Sequence, residues 1–208
     1  MKKKDSKKTI IAFFAVAALL CCAAALPARA TAGEIVLFDF EKDPEGWEIP
    51  DWALEKPDHV AQRIAISKPI AAPSGTHALE VGAIFSDEAI WQGAYVERVT
   101  DITDWSQFRY LSADIYLPKA APRGLRARLI LTVGDGWNWA EMNKTIPLNP
   151  GEWTIVKADI SPGSRNWRKF LDDGFRADVR KMGVRIESNG KIAYQGPVYI
   201  DNIKLSEE

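Results

Sequence analysis

The chain ends on the segment that organises the rest of the fold: Val-Tyr-Ile-Asp-Asn-Ile-Lys-Leu, residues 198–205. β-branched and aromatic residues fill it and a Gly-Pro pair precedes it, so the sequence predicts a β-strand. Alternate residues of a strand share a face, which groups Asp201 with Tyr199, Ile203 and Leu205. A carboxylate is costly to bury without a cation or several hydrogen-bond donors. We therefore expect either a partner for Asp201 or a face that is partly open there.

The sequence upstream of this strand contains similar short β-segments. Residues 110–117 and 125–133 alternate between apolar and polar side chains, as strands with one buried face do. About ten such segments are separated by turns rich in Pro and Gly, and there is no internal repeat. One short helix is indicated from Arg165 to Asp173, because Gly174 follows it. The sequence predicts an all-β protein, a two-sheet antiparallel β-sandwich of about ten strands with at most one short helix.

The first thirty residues have the three parts of a secretory signal peptide. Five lysines lie within residues 2–8, residues 10–26 are apolar, and Ala28-Arg29-Ala30 has the small-x-small pattern that precedes cleavage. We expect a signal peptide at residues 1–30 and a single mature domain at residues 31–208. The mature domain is expected to be secreted or periplasmic.

A lipoprotein is the less favoured alternative for this leader. Cys21 and Cys22 follow Leu20 and Cys21, where lipidation requires a small residue. Both cysteines lie in the predicted leader, so we expect a mature chain without disulfides, which is stabilised by its core alone. No other stretch approaches the roughly 18 apolar residues of a membrane span.

The charge of the predicted mature domain argues against two classes of partner. The leader carries six of the 27 basic residues and one of the 28 acidic residues, which leaves a net charge of −6. A mildly acidic domain without a basic run is a poor binder of nucleic acid or of anionic membranes. All eight tryptophans lie within the mature domain, which is a high number for its size.

Four segments, in order along the chain, resemble one known group of domains. They are Phe38-Asp39-Phe40-Glu41 with Gly46-Trp47, Gly75 to Val81, Leu111 to Leu117, and Val198 to Leu205. Together they resemble the jelly-roll carbohydrate-binding modules that have the galactose-binding-like fold. The resemblance implies a monomer that binds a polysaccharide or oligosaccharide without catalysing a reaction.

The resemblance also implies a structural calcium ion between the first and last strands. The positions that match the pattern are Glu41 and Asp201, with Asp39 or Asp43 as further ligands. Calcium takes about six to eight oxygen ligands, and a cation would stabilise the carboxylate of Asp201. The alternative is that Asp201 accepts hydrogen bonds from backbone amides at the edge of a sheet.

A sugar ring presents a flat patch of C–H groups that stacks on aromatic side chains, and its hydroxyls need polar groups fixed in position. Aromatic and polar residues of the predicted solvent-facing strands would form such a groove if these strands are neighbours. The alternatives are a salt-bridge network among the charged members, and packing at sheet edges or in the core for Trp47, Trp105 and Trp153. The predicted ligand-binding residues are Trp91, Tyr95, Asp114, Tyr116, Arg128, Trp137, Trp139, Asn143, Arg185 and Glu187.

Two other classes of function remain open at this stage. Glycosidases use two carboxylates about 5–9 Å apart, which Asp114, Glu141 and Glu187 could provide on adjacent strands. The two histidines, His59 and His77, have no metal-ligand spacing. The third class is an envelope protein whose groove binds another protein. We expect non-catalytic carbohydrate binding, with a hydrolase or lyase as the less favoured reading.

Overall fold

A computed structural model describes residues 33–69, 72–169 and 171–208. The predicted signal peptide lies outside these residues. Among them are eleven strands and two short helices. The strands are Glu34–Phe38 (β1), Ala61–Ser67 (β2), Ala78–Phe85 (β3), Gln92–Val99 (β4), Tyr110–Leu117 (β5), Arg126–Val133 (β6), Asn138–Glu141 (β7), Ile146–Pro147 (β8), Glu152–Asp159 (β9), Val179–Ser188 (β10) and Tyr194–Ser206 (β11), and the helices are Asp51–Leu54 (α1) and Asp173–Ala177 (α2).

The strands form two sheets, and their pairings are antiparallel. The first sheet has the order β2-β3-β11-β5-β9, and β1 also pairs with β11. The second sheet has the order β4-β10-β6-β7, and β8 also pairs with β6. The β-sandwich predicted from the sequence is confirmed. The sequence also predicts a single strand over residues 139–146, which the structure divides into β7 and β8 by the turn between them.

The core lies between the two sheets, as the alternation in the sequence predicts. In β6, Leu129 and Leu131 point inward and are fully buried, while Arg128 and Thr132 are on the opposite face. Trp47 and Trp105 are buried in the same core, which confirms their predicted packing. No helix among the residues described is long and apolar enough to cross a membrane.

The helix predicted from Arg165 to Asp173 is wrong in its position. The side chain of Asp172 accepts a hydrogen bond from the backbone N–H of Phe175 at 2.8 Å, so α2 begins at Asp173, where the predicted helix ended. Upstream, Trp167 pairs with Met142 as an isolated antiparallel bridge, which holds its backbone extended. The helix α1 is an addition to the one short helix expected, because the sequence of residues 50–58 predicts a loop.

The last strand differs from its predicted alternation because it contains a β-bulge. The register of β11 against β5 shifts between Asp201 and Lys204, and Asn202 has a positive φ of 48°. An extra residue in one strand reverses the faces of the residues that follow it. Ile203 is therefore buried in the core, whereas Tyr199 and Asp201 lie on the outer face of the first sheet. The predicted grouping of all these side chains on one face is wrong.

We predict that truncation of an inward residue of β6 destabilises the whole domain. Leu129→Ala should lower the free energy of unfolding by about 2–5 kcal/mol, because the substitution leaves a cavity between the sheets. Urea unfolding monitored by tryptophan fluorescence measures this change. Val36→Ala, at an exposed position of β1, is the matched control and should change stability by no more than about 0.5 kcal/mol.

Candidate functional site

An open groove runs over the outer face of the second sheet. It has a volume of about 350 Å³, within the usual range for ligand sites. Strands β4, β6, β7 and β10 and the turn between β6 and β7 supply its walls, and α1 contributes one further side chain. The lining residues are Trp52, Glu97, Thr132, Trp137, Trp139 and Lys181.

Three aromatic rings pack together at the base of the groove. The centroid of Tyr95 lies 5.3 Å from that of Trp52 and 5.2 Å from that of Trp139. Trp52 meets Trp139 edge-on, with centroids 5.7 Å apart. Each pair adopts a geometry that stabilises aromatic contacts. The cluster fixes the position of Trp52, which is on the one-turn helix α1 and is 43% exposed.

Tyr95 is almost completely covered, and a glycine makes room for its ring. A Cβ atom on Gly183 of the neighbouring strand would lie 2.4 Å from the ring of Tyr95, so only glycine allows this approach. The Tyr95 hydroxyl donates to Glu97 at 2.8 Å, and Lys181 lies 2.5 Å from the other oxygen of that carboxylate. Burial and the neighbouring Glu97 raise the pKa of Tyr95, so the hydroxyl stays protonated as a donor. Tyr95 therefore supports Trp52 from below.

Trp137 forms the end of the groove at the turn between β6 and β7. Its backbone has a φ of 49°, and its N–H donates to the carbonyl of Gly134 at 3.0 Å. The indole is 52% exposed. Arg180 and Lys181 place their cationic groups 5.6 and 5.7 Å from its centroid, which is within the range of a cation–π contact. These contacts hold an exposed ring in a defined orientation.

Beside the aromatic cluster, two arginines and two glutamates form a ring of ion pairs, which we call the arginine–glutamate network. Arg128 lies 2.7 Å from Glu187 and 3.4 Å from Glu141. Arg185 lies 3.1 Å from Glu187 and 2.6 Å from Glu141. The exposed Arg168 adds a further ion pair to Glu141. Each carboxylate is thus shared by at least two guanidinium groups, so the network fixes its own geometry.

The network connects to a second exposed tryptophan. The guanidinium of Arg185 lies 5.0 Å from the ring centroid of Trp91, which precedes β4. Trp91 and Trp52 both contribute to a small cleft at this side of the groove, together with His59. The outer face of the second sheet therefore carries exposed indole rings on both sides of the central aromatic cluster.

The structure brings most of the predicted site residues together. Trp91, Tyr95, Arg128, Trp137, Trp139, Arg185 and Glu187 all lie on the outer face of the second sheet or at its margin. Asn143 is exposed two residues after β7, and its N–H donates to the carbonyl of Asn166 at 2.6 Å. Their roles in ligand binding remain predictions.

Two predicted site residues do not belong to the groove. Asp114 and Tyr116 lie on β5, which pairs with β9 and β11 in the first sheet. Their outward faces are separated from the groove by the whole thickness of the sandwich. The predicted groove requires the strands that carry its residues to be neighbours, and this prediction is wrong for β5. Alternation in the sequence indicates which face of a strand is buried, but it does not indicate to which sheet the strand belongs.

Sequence reasoning missed several residues that line the groove. Trp52 lies on α1, which the sequence does not predict, and the acidic Asp51 in its first turn was the available signal of a helix start. Thr132 and Lys181 are in phase with predicted residues on β6 and β10, and this phase was the available signal. Arg168 gave no signal, because the bridge between Trp167 and Met142 brings it beside β7.

The predicted calcium ligands each bind the short segment at residues 74–77. The Glu41 carboxylate accepts hydrogen bonds from the N–H groups of Thr76 and His77, both at 2.8 Å. The Asp201 carboxylate accepts from the N–H of Ser74 at 3.1 Å and from that of Asn202 at 2.7 Å. Burial raises the pKa of Asp201 to about 6, and these donors oppose that rise.

This donor set fits the alternative reading, in which Asp201 accepts hydrogen bonds from backbone amides. Within residues 33–69, 72–169 and 171–208, no group of three or more Asp, Glu, His or Cys side chains could hold a metal ion. Calcium takes about six to eight oxygen ligands, and the backbone N–H groups that surround the two carboxylates supply no oxygen. Calcium binding through Glu41 and Asp201 stays a prediction.

The two-sheet sandwich is the fold of the β-sandwich carbohydrate-binding modules, a class of domain that binds oligosaccharides or polysaccharides and is non-catalytic in itself. A family model described as carbohydrate binding module 27 matches residues 61–208. The chain belongs to this family. No curated protein sequence matches it significantly.

Solved structures of similar fold come from several families of carbohydrate-binding modules. A family 27 module of Caldicellulosiruptor saccharolyticus, solved with mannohexaose, is 17% identical with a TM-score of 0.57 over 86% of this chain and 99% of that one. A family 28 module specific for non-crystalline cellulose is 17% identical, with a TM-score of 0.62 over 84% and 95%. The family 11 module of Clostridium thermocellum, solved with a mixed-linked tetrasaccharide, is 17% identical, with a TM-score of 0.52 over 85% and 96%. At this identity the likeness shows the fold.

We predict that the arginine–glutamate network stabilises the sheet more than it contacts a ligand. Arg128→Ala should lower the free energy of unfolding by about 3 kcal/mol, because Glu187 is only 3% exposed and keeps one guanidinium partner instead of two. Arg168→Ala is the matched control: it removes an exposed guanidinium from Glu141, which keeps Arg128 and Arg185, so it should cost no more than about 1 kcal/mol. Chemical unfolding measures both; equal stabilities for the two variants would contradict the structural role of Arg128.

The calcium prediction is tested by chelation. If Glu41 and Asp201 hold calcium, adding EDTA to the purified protein should lower its melting temperature, and added calcium should restore it. Asp201→Asn should remove that response. A wild-type melting temperature that is the same with and without chelator would contradict the calcium prediction and support capping of backbone amides.

Proposed function

We propose that the chain binds a polysaccharide non-catalytically in the groove on the second sheet. The observation that carries this proposal is the set of three indole rings, Trp52 of α1 with Trp137 and Trp139 at the start of β7, around one open cleft. A sugar chain offers C–H faces to such rings, and the flanking carboxylate, ammonium and hydroxyl groups suit its hydroxyls. The openness of the groove to solvent is compatible with an extended chain.

The groove residues divide into contacting and supporting side chains. Trp52, Trp91 and Trp137 are exposed and are proposed to stack on sugar rings. Tyr95, at 3% exposure, is proposed to act by holding Trp52 in place. Arg128 and Glu187 are buried to a similar degree and are proposed to orient Arg185 beneath Trp91.

A mannan is the first ligand to test. The family relationship and the mannohexaose complex of the C. saccharolyticus module support this choice. Non-crystalline cellulose and a mixed-linked glucan are the comparison ligands, because the family 28 module of similar fold is specific for non-crystalline cellulose and the family 11 module was solved with a mixed-linked tetrasaccharide. The signal peptide predicted at residues 1–30 supports export to the periplasm or the medium, where such polymers are encountered.

The arrangement of acidic groups supports a non-catalytic role. Glu141 and Glu187 are both buried and engaged by arginines, so their oxygens are not available to a glycosidic bond. Asp114, the third carboxylate considered for hydrolysis, is on the other sheet and accepts a hydrogen bond from the Asn202 side chain at 2.8 Å. A glycosidase requires two carboxylates on either side of the bond that is cleaved.

The proposal predicts that removal of one exposed indole weakens binding. Trp52→Ala should reduce affinity for mannohexaose about fivefold, since one aromatic contact contributes on the order of 1 kcal/mol. Isothermal titration calorimetry measures the change. Leu54→Ala is the matched control, because Leu54 is exposed on the same helix and does not line the groove.

Two results would contradict the proposal. One is equal affinity of the Trp52→Ala and Leu54→Ala variants and the wild type for every polysaccharide bound. The other is absence of binding by the wild type to mannan, cellulose and mixed-linked glucan alike. The melting temperatures of the variants, measured in parallel, separate loss of a contact from loss of the fold.

A further inference from the structure

The outer face of the first sheet, on the opposite side of the sandwich, carries a second row of aromatic rings. The register places Tyr199 of β11, Tyr116 of β5 and Trp153 of β9 side by side on three adjacent strands. The centroid of Tyr116 lies 6.1 Å from that of Tyr199 and 5.3 Å from that of Trp153. We call these three side chains the aromatic strip.

The aromatic strip has an internal division of roles. Tyr116 is buried between its neighbours, whereas Tyr199 and Trp153 are partly exposed. The ring planes are tilted by 44° and 39° from that of Tyr116, so the strip is a shallow curved surface. The outer rings are therefore held apart at fixed positions by the middle one, as the rings of a stacking platform must be.

A cleft adjoins the aromatic strip on the same face. It has a volume of about 220 Å³, and its floor contains Gly82 and Pro197, which are paired across β3 and β11. Pro197 lies two residues before Tyr199 on the same face of β11, so the cleft and the strip form one continuous surface. A Cβ on Gly82 would lie 3.0 Å from the side chain of Arg63, which crosses the strand at this point.

Polar groups of this cleft are suited to hydroxyls. Arg63, whose side chain is well exposed, forms an ion pair with Glu80, and Glu80 is directly opposite Tyr199 in the register. Gln62 and Gln195 also line the cleft. Its charges are balanced by the Arg63–Glu80 pair, so the surface has no preference for a strongly charged ligand.

We infer that this face is a second carbohydrate-binding surface, which takes a neutral polysaccharide across the cleft and the aromatic strip. Sugar rings stack on Tyr199 and Trp153. Arg63, Gln62 and Gln195 form hydrogen bonds with the hydroxyl groups of the sugar. The inference shares its class of ligand with the proposed function but not its site. Because the two faces point in opposite directions, one molecule bridges two polysaccharide chains.

A groove variant isolates the second surface for testing. The full chain with Trp52→Ala and Trp137→Ala is run in affinity gels containing mannan, hydroxyethyl cellulose or mixed-linked glucan. This double variant should be retarded less than the wild type, but its retardation should still be measurable. Adding Tyr199→Ala and Trp153→Ala should reduce the remaining affinity about fivefold for each ring removed. Adding Tyr199→Phe, which keeps the ring, should leave it unchanged.

Two further variants protect the test against misfolding and against a different partner. If removal of the rings lowers the melting temperature, Arg63→Ala with Gln195→Ala should weaken the remaining affinity without disturbing the strip. Ile155 is 64% exposed on the same face and has no ring. Ile155→Ala should leave retardation unchanged; a loss equal to that of the ring variants would indicate general apolar contact and overturn the inference.

The outcomes separate this inference from the proposed function. Retardation of the wild type with none for the groove variant in all three gels overturns the second surface and leaves the groove intact. Retardation that is lost with the rings of the strip, but not with those of the groove, supports the second surface and contradicts the groove. Turbidity on mixing wild type with soluble mannan, absent for variants of either face, supports bridging.

Discussion

Antiparallel pairing of β11 is the interaction on which the structure depends. This strand hydrogen-bonds to β3, β5 and β1, so it connects both halves of the first sheet. Backbone groups in the interior of a sandwich must be paired, and a central strand satisfies them on both sides. The bulge at Asn202 changes which residues of β11 face the core. Val198 and Ile200 fill the core before the bulge, and Ile203 and Leu205 fill it afterwards.

The groove on the second sheet follows from packing on that sheet's outer face. Gly183 lets Tyr95 lie flat, Tyr95 supports Trp52, and the short helix α1 covers the strands beneath. The arginine–glutamate network fills the remaining part of the face with charges that satisfy one another. Groups that would be mobile on an exposed sheet are thereby fixed, which is the condition for a preorganised binding site.

The sequence predicted those features that depend on local alternation. The inward leucines and outward arginine of β6 were identified correctly because the strand is regular from end to end. The same reasoning failed at β11, where the bulge reverses the alternation, and at β5, whose outward residues proved to be on the other sheet. Long-range pairing decides to which of the two sheets a strand belongs. Alternation with a period of two residues gives no information about that pairing.

The burial of the site residues was also beyond sequence reasoning. Tyr95 and Glu187 have the phase of solvent-facing residues, yet both are covered, by α1 in one case and by the charge network in the other. Asp201 was identified as an unusual carboxylate, and one of its donors proved to be the backbone amide of Ser74, more than 120 residues away in sequence. Such tertiary contacts override what a strand pattern predicts about exposure.

The ends of the described domain meet at one place in the fold. The N–H of Glu207 donates to the carbonyl of Gly33 at 3.1 Å, beside the pairing of β1 with β11 in the first sheet. Ends that lie this close can be joined by a few residues, as in circular permutation. New termini could then be opened in an exposed turn, such as Arg123-Gly124 between β5 and β6, without breaking either sheet. A permuted chain would thus have a different order of strands along the sequence and would keep the two sheets and the groove.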